Sequence, residues 1–293
     1  MHLKLTAADK SDVGRQRDQN EDRSYRRIES SEDGDRGLFV VADGMGGYKA
    51  GEVASRLAAE TIAKGLDSFF KPLYEQPTIK LSPIIVDKDK TTKLSSATSS
   101  SEAQKTRKFS DTPMTTAIED QLRVAIEQAN KAILRYGEQQ PAARGLGSTV
   151  TVALVQNDHA YIANVGDSRT YLLRNNSLTL VTVDHSLVAK LVEAKQITED
   201  EIYTHPQRNL IYRSLGAGHK TIEVDIFHQM LQPNDSLLLC SDGLWEMVRQ
   251  QDIERILNEQ ISPQKICDKL INLANENGGE DNITAVVVHV SAQ

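Results

Sequence analysis

The chain has 293 residues, of which 39% are apolar, 26% charged and 5% aromatic, with 17 Gly and 8 Pro. This is the composition of an ordinary globular protein and excludes the collagen-like, coiled-coil and wholly disordered classes. The 34 basic and 41 acidic residues leave a formal net charge of -7, so no general attraction to nucleic acid or to an anionic membrane surface is expected.

The chain begins without the apolar run of a secretion signal, and nothing approaches the ~18 unbroken apolar residues of a membrane span. A soluble, cytoplasmic protein is therefore expected. Strand-like runs at 3–7 and 37–42 come first, followed by a helix over 52–70 with Val53, Leu57, Ile62, Leu66 and Phe69 on one stripe. From about Lys71 to Thr115 the periodicity is lost, and within Thr91–Ser101 8 of 11 residues are Ser or Thr, the signature of a disordered insert. A second amphipathic helix over 116–138, striped by Ile118, Leu122, Ala125, Ala129, Ile133 and Tyr136, is expected to pack beside the first.

Further strands follow at 148–155, 159–165 and 170–174, then helical segments at 186–195 and 198–203, strands at 222–228 and 236–240, helices at 251–259 and 263–275, and a strand at 283–290. The turns Gln156–Asp158, Asn175-Asn176-Ser177 and Pro233-Asn234-Asp235 are too short to join anything but antiparallel neighbours. Strands and helices fall in blocks rather than in βαβ alternation. The expected class is α+β, with mainly antiparallel layered sheets covered by helices, in one domain spanning 1–293. Cys240 and Cys267 lack a CxxC spacing and read as reduced core thiols, and Trp245, the only tryptophan, reads as core.

The informative feature is where certain aspartates stand. Asp43, Asp167 and Asp242 each end a strand-like run, and Asp281 opens one. In an antiparallel sheet the end of one strand lies beside the start of the next, so these four carboxylates are able to share a rim. Near the N-terminus Arg17 is followed by Glu21 and Asp22, just before another expected strand. Taken singly, Asp43-Gly44 and Asp242-Gly243 are turn formers. Taken together, carboxylates crowded on one rim repel and raise one another's pKa unless a cation neutralises them, and oxygen ligands without Cys or His clusters select Mg²⁺ or Mn²⁺. No phosphate-binding loop, GxSxG elbow, HExxH or EF-hand loop is present.

The ordered set Arg17-x-x-x-Glu21-Asp22, Asp43-Gly44-Met45-Gly46-Gly47, Gly147-Ser148-Thr149, Gly166-Asp167-Ser168-Arg169, Ser241-Asp242-Gly243-Leu244-Trp245 and Asp281-Asn282 resembles the type 2C metal-dependent protein serine/threonine phosphatases, in particular their short bacterial members. The resemblance spans about five-sixths of the chain and omits the Ser/Thr-rich insert. It implies a central pair of antiparallel sheets, each covered by a pair of helices, with a small flap over Asp184–Leu215. It also implies two Mn²⁺ or Mg²⁺ ions: Asp43 bridging them, Asp242 and Asp281 holding the first, and Glu21 with the Gly44 carbonyl serving the second. Asp22 would orient these ligands from behind, Asp167 with Asp242 would hold a weaker third ion, and Arg17 would clamp the substrate phosphate. The implied reaction is hydrolysis of phosphoserine and phosphothreonine in proteins by a metal-bridging water, reversing Ser/Thr kinases. The implied partners are phosphorylated proteins, with the enzyme a monomer.

The chain departs from some family members at Met45, where they carry a histidine proposed as the general acid. A thioether has no proton to give. Replacement acids to test are a metal-bound water, His185, in Val183-Asp184-His185-Ser186, and His205 in the expected flap. Two rival readings remain, a catalytically silent phosphoprotein-binding module and a phosphatase of small phosphoesters.

Overall fold

The structure is a computed structural model that describes residues 2–31, 34–46, 50–71 and 113–293. The Ser/Thr-rich tract, and with it most of the insert expected at 71–115, lies outside the described residues. In chain order the strands are β1 (Leu3–Asp12), β2 (Asp22–Glu29), β3 (Arg36–Met45), β4 (Gly147–Ser148), β5 (Val150–Gln156), β6 (His159–Val165), β7 (Arg169–Arg174), β8 (Ser177–Leu180), β9 (Leu215–Gly216), β10 (Asp225–Met230), β11 (Ser236–Cys240) and β12 (Ile283–Ala292). The helices are α1 (Ala50–Gly65), α2 (Pro113–Gln139), α3 (Leu187–Glu193), the single turn α4 (Asp242–Trp245), α5 (Gln250–Leu257) and α6 (Pro263–Glu276).

Among the described residues the strands form two sheets, one ordered β1-β12-β11-β7-β8 and the other β10-β6-β5-β3-β4-β9 with β2 also paired to β3. Every pairing is antiparallel. Period-two alternation explains the stacking. Along β3, Leu38, Val40 and Ala42 face α1 and α2, joining Ile62 and Leu122, while Phe39 and Val41 face the other sheet, meeting Leu237, Leu239 and Val286. Cys240, Val287 and Leu238 turn outward to α5 and α6, where Ile253, Ile266 and Leu270 cover them. The result is four layers, helices–sheet–sheet–helices, as the patterning and the resemblance predict.

The short turns also form as expected: Asn157, Asn175, Asn176 and Asn234 all adopt positive φ, the conformation that tight hairpins demand. The differences are local. The run expected as one strand at 148–155 is broken at Thr149, whose N–H donates to the Asp43 carbonyl at 2.9 Å. The helix expected to reach 70 ends at Gly65, with a 3-10 turn over Asp67–Phe70. The strand expected from 222 starts at Asp225, and β8, β9 and α4 are too short to leave a periodic signal. Both thiols are buried and unpaired, and burial pushes them up, Cys267 to about 12. Among the described residues no helix is long and apolar enough to cross a membrane.

Candidate active site

Antiparallel pairing gathers the acids at one end of the sandwich. Asp22 opens β2 directly opposite Asp43 on β3. Asp242 follows β11, Asp281 precedes β12, and these strands are neighbours in register. Asp167 follows β6 in the turn that leads to Arg169, itself opposite Cys240 at the end of β11. Thus the four aspartates that flank strands in the sequence, with Asp22, face a common rim.

Their electrostatics show how tightly they are gathered. Burial holds the Asp43 carboxyl well above the ordinary carboxylate range, reinforced by the charges of Asp242, Asp22, Asp167 and Asp281. Asp242 is raised in the same way, by burial and then by Asp167, Glu246, Asp281 and Asp22. Asp22 is pushed to about 6 by burial, opposed by the hydroxyls of Thr284 and Ser241, and Asp167 to about 7 by burial and by Asp184. Burial of the rim is the leading cause throughout, and mutual repulsion among the acids adds to it.

Asp22 Oδ1 and Asp242 Oδ1 are buried without a hydrogen-bond partner. A buried carboxylate oxygen left unpaired is costly, and a hard divalent cation is the partner that suits oxygens without nearby Cys or His. The residues therefore fit Mn²⁺ or Mg²⁺. Among the described residues no three acidic, histidine or cysteine side chains already close into a ligating cage; the acids share a rim and a field.

Glu21 stands at the N-terminus of α1, where the Gly51 and Glu52 backbone groups hydrogen-bond to its carboxylate and offset part of the burial that raises it. A Cβ at Gly51 would meet that carboxylate at 2.6 Å, so a side chain there would push Glu21 aside. Gly44 is more tightly constrained: a Cβ there would meet the Gly51 backbone carbonyl at 2.1 Å, and the Gly44 N–H donates to the Glu21 carbonyl at 3.1 Å. Arg17 reaches the same rim and donates through Nη2 to Asp281 Oδ2 at 2.7 Å, with its side chain 52% exposed.

Several supporting residues escape sequence reasoning. Asn282 Oδ1 accepts the Glu21 N–H at 2.7 Å while its Nδ2 donates to the Val13 and Gln19 carbonyls, fastening the Glu21 loop. Ser241 Oγ donates to Asp22 Oδ2 at 2.7 Å. Arg208, in the segment 184–215 expected as a flap, bridges Glu246 at 3.0 Å and Glu280 at 2.8 Å beside Asp242. Asn282, Ser241 and Arg208 join parts distant in sequence; the first two stand inside the motifs, but the spacing of those motifs gives no hint of these partners.

The two histidines offered as replacement acids do not join the rim acids. His185 is 1% exposed, with Nδ1 accepting the Gly166 N–H at 3.0 Å and Nε2 facing Asp225 Oδ2 at 3.0 Å. Both nitrogens are engaged, and burial lowers its pKa. His205 ends a 3-10 turn over Asp200–Thr204, and its Nδ1 accepts the Gln207 N–H at 3.1 Å. Trp245 is buried as expected, its Nε1 donating to the Asp167 carbonyl at 3.0 Å.

Four α–β–β–α layers with acids converging on one rim define a metal-dependent phosphatase type of site, and comparison with known proteins agrees. Residues 84–283 match the family model described as protein phosphatase 2C. A serine/threonine phosphatase stp of Listeria welshimeri serovar 6b is 36% identical over 279 residues, covering 95% of this chain and 93% of its own. The crystal structure of serine/threonine phosphatase Stp1 from Staphylococcus aureus superposes with a TM-score of 0.75 at 32% identity, over 100% of this chain and 98% of that one. The catalytic domain of the serine/threonine protein phosphatase PstP in complex with two manganese ions does so with a TM-score of 0.73 at 31% identity, covering 99% and 100%. The chain belongs to the protein phosphatase 2C family, and its class of activity is that of a protein serine/threonine phosphatase.

Proposed function

We propose that this rim hydrolyses phosphoserine and phosphothreonine in proteins, reversing Ser/Thr kinases, with two Mn²⁺ or Mg²⁺ ions as cofactors. The observation that carries the reading is the convergence of Asp43, Asp242, Asp281, Asp22 and Asp167 with buried oxygens left unpaired. The PstP relative bound to two manganese ions supports the choice of cofactor. Asp43 would bridge the ions, Asp242 and Asp281 would hold one, Glu21 and the Gly44 carbonyl the other, and Asp167 with Asp242 a weaker third. When bound, such ions supply a water of lowered pKa and Lewis-acid charge on the phosphoryl oxygens.

The protein's own residues supply the rest. Arg17 spends one of its five donors on Asp281, leaving a planar fork at the exposed mouth for two phosphate oxygens. Ser241 and Asn282 hold Asp22 and the Glu21 loop so that the acids cannot turn away from the ions. With Met45 unable to donate and both His185 nitrogens engaged, the proton for the leaving alkoxide would come from water or from His205. The complete acid set favours turnover over silent binding.

The test is phosphate release from a phosphoserine or phosphothreonine peptide with Mn²⁺ or with chelator. Release only with Mn²⁺, strongly reduced in Asp43→Asn, is expected. Equal release under both conditions refutes the metal mechanism, tight binding without release supports the silent module, and turnover confined to small phosphoesters moves the substrate class.

A further inference from the structure

At His185 the start of the flap is tied to the Asp167 turn twice, once through the backbone and once through a buried imidazole. At the start of the flap, the His185 N–H donates to the Gly166 carbonyl at 2.9 Å and the Gly166 N–H donates back to His185 Nδ1 at 3.0 Å. At its end, the Tyr212 N–H donates to the His185 carbonyl at 2.9 Å, and Arg213 shares the Asp225 carboxylate with the imidazole, Nη1 to Oδ1 at 3.0 Å. The ring has a single workable tautomer. Because Gly166 presents an N–H, Nδ1 must carry a lone pair, so Nε2 carries the proton and donates to Asp225. Arg213 Nη1, 3.1 Å from Nε2, is then a second donor to the same acceptor rather than a donor to the ring.

Gly166 leaves no slack. It sits at φ +111°, and a Cβ would meet the Thr149 side chain at 2.5 Å. One residue further on is Asp167, whose carbonyl takes the only tryptophan's N–H. We propose that His185 is a positioning residue that ties both ends of the flap to the Gly166–Asp167 turn, making the seating of the flap and the aim of the Asp167 carboxylate one conformational variable. The consequence for ion binding rests on the reading of Asp167 as a ligand; the coupling itself does not.

The sole tryptophan makes the test direct, since one indole N–H signal in a ¹⁵N-edited NMR spectrum reports on the Asp167 carbonyl. His185→Asn keeps an oxygen where Nδ1 accepts from Gly166, and His185→Gln places its amide nearer Asp225. Without metal, the Gln variant is expected to shift the Trp245 indole and Gly166 amide signals, and the Asn variant to leave them near wild type. In an Mg²⁺ titration read at the indole signal, the Gln variant is expected to need about 10-fold more Mg²⁺ or beyond, as when a ligand's supporting hydrogen bond is lost. Equal thermal destabilisation of both variants with both signals unmoved would overturn the proposal.

Should neither variant fold, Asp225→Asn decides. It keeps an acceptor for Nε2 but loses the Arg213 ion pair, so the same signals are expected to move, and their constancy overturns the proposal. Asp167→Asn separates the two readings: an unchanged Mg²⁺ response there removes Asp167 from the ligands, while the metal-free comparison still judges His185.

Discussion

The two ends of the sandwich both bury carboxylates, and they treat them oppositely. Away from the rim, Asp235 is 2% exposed but accepts from Arg174 Nε at 3.0 Å and Nη2 at 2.6 Å and from the Gln232 N–H at 2.7 Å. Asp35, 4% exposed, accepts the Leu5 N–H at 2.8 Å. At the rim, Asp43 and Asp242 are buried among other acids, and an oxygen of Asp242 and one of Asp22 have no partner at all. Burial alone therefore does not mark a site. Missing compensation does, because a fold tolerates an unpaired buried charge only where something outside the chain supplies the opposite one.

The comparison breaks most visibly at Asp43. Asp43→Asn removes a charge its neighbours repel, so the chelated protein is expected to melt at a higher temperature while phosphopeptide turnover with Mn²⁺ falls by about 10²–10³-fold, the scale of losing a charge-stabilising group in an active site. A calorimetric melt beside a kinetic assay checks both signs. Arg174→Ala should do the reverse, leaving Asp235 buried without its cation. A loss of about 3 kcal/mol in denaturant unfolding is expected with kcat unchanged. A drop in kcat would join the two ends and blur the contrast.

Arg17→Lys sits between these extremes. It keeps the charge and loses the fork, and a charged hydrogen bond removed costs about 1.5–3 kcal/mol, roughly 10- to 100-fold in kcat/KM. A fall confined to KM would place Arg17 in docking alone.

Acidity offers a subtler check. Asp22 titrates at about 6 and Asp167 at about 7 in the folded protein, against 3.8 for a free aspartate. Below 3.8 both states hold the protons. Above it the unfolded chain has released protons that the folded one still keeps, so this contribution to stability is lost as pH rises from 3.8 towards 7. In chelator the melting temperature is expected to fall across that window, and saturating Mg²⁺ should flatten the fall. A flat profile in chelator would mean the rim acids are compensated after all.

How much of this was legible before the fold depended on distance along the chain. Asp43, Asp167, Asp242 and Asp281 stand at strand ends, a local pattern, and antiparallel topology brings them together. Gly51 was not legible, because its closeness to the Glu21 carboxylate arises only where α1 meets Glu21 in the fold. His185 looked like an acid because sequence shows a polar group and not its burial. The break at Thr149 was hidden by β-branched neighbours, since the cause is a hydrogen bond to Asp43, which is 106 residues away in the chain.

Arg208 is the mildest test of the contrast, because it lies at the rim yet is only partly buried, at 29% side-chain exposure against 10% for Glu246. It joins the proposed flap to Glu246 and Glu280, which lie 38 and 72 residues away in the chain. Half-exposed ion pairs contribute only about 0.2–1 kcal/mol, so Arg208→Ala is expected to change kcat/KM by no more than about fivefold. The effect should shrink further as salt rises, because the Glu280 side of the latch is open to solvent at 47% side-chain exposure. Burial raises the Glu246 carboxyl and Arg208 opposes that rise, so removing the cation adds one more uncompensated acid beside Asp242. Mn²⁺ should then bind the Arg208→Ala variant somewhat more tightly even as flap seating weakens. Opposite signs for ion affinity and for kcat/KM, measured on one variant, would separate the rim's demand for charge from the flap's demand for a latch.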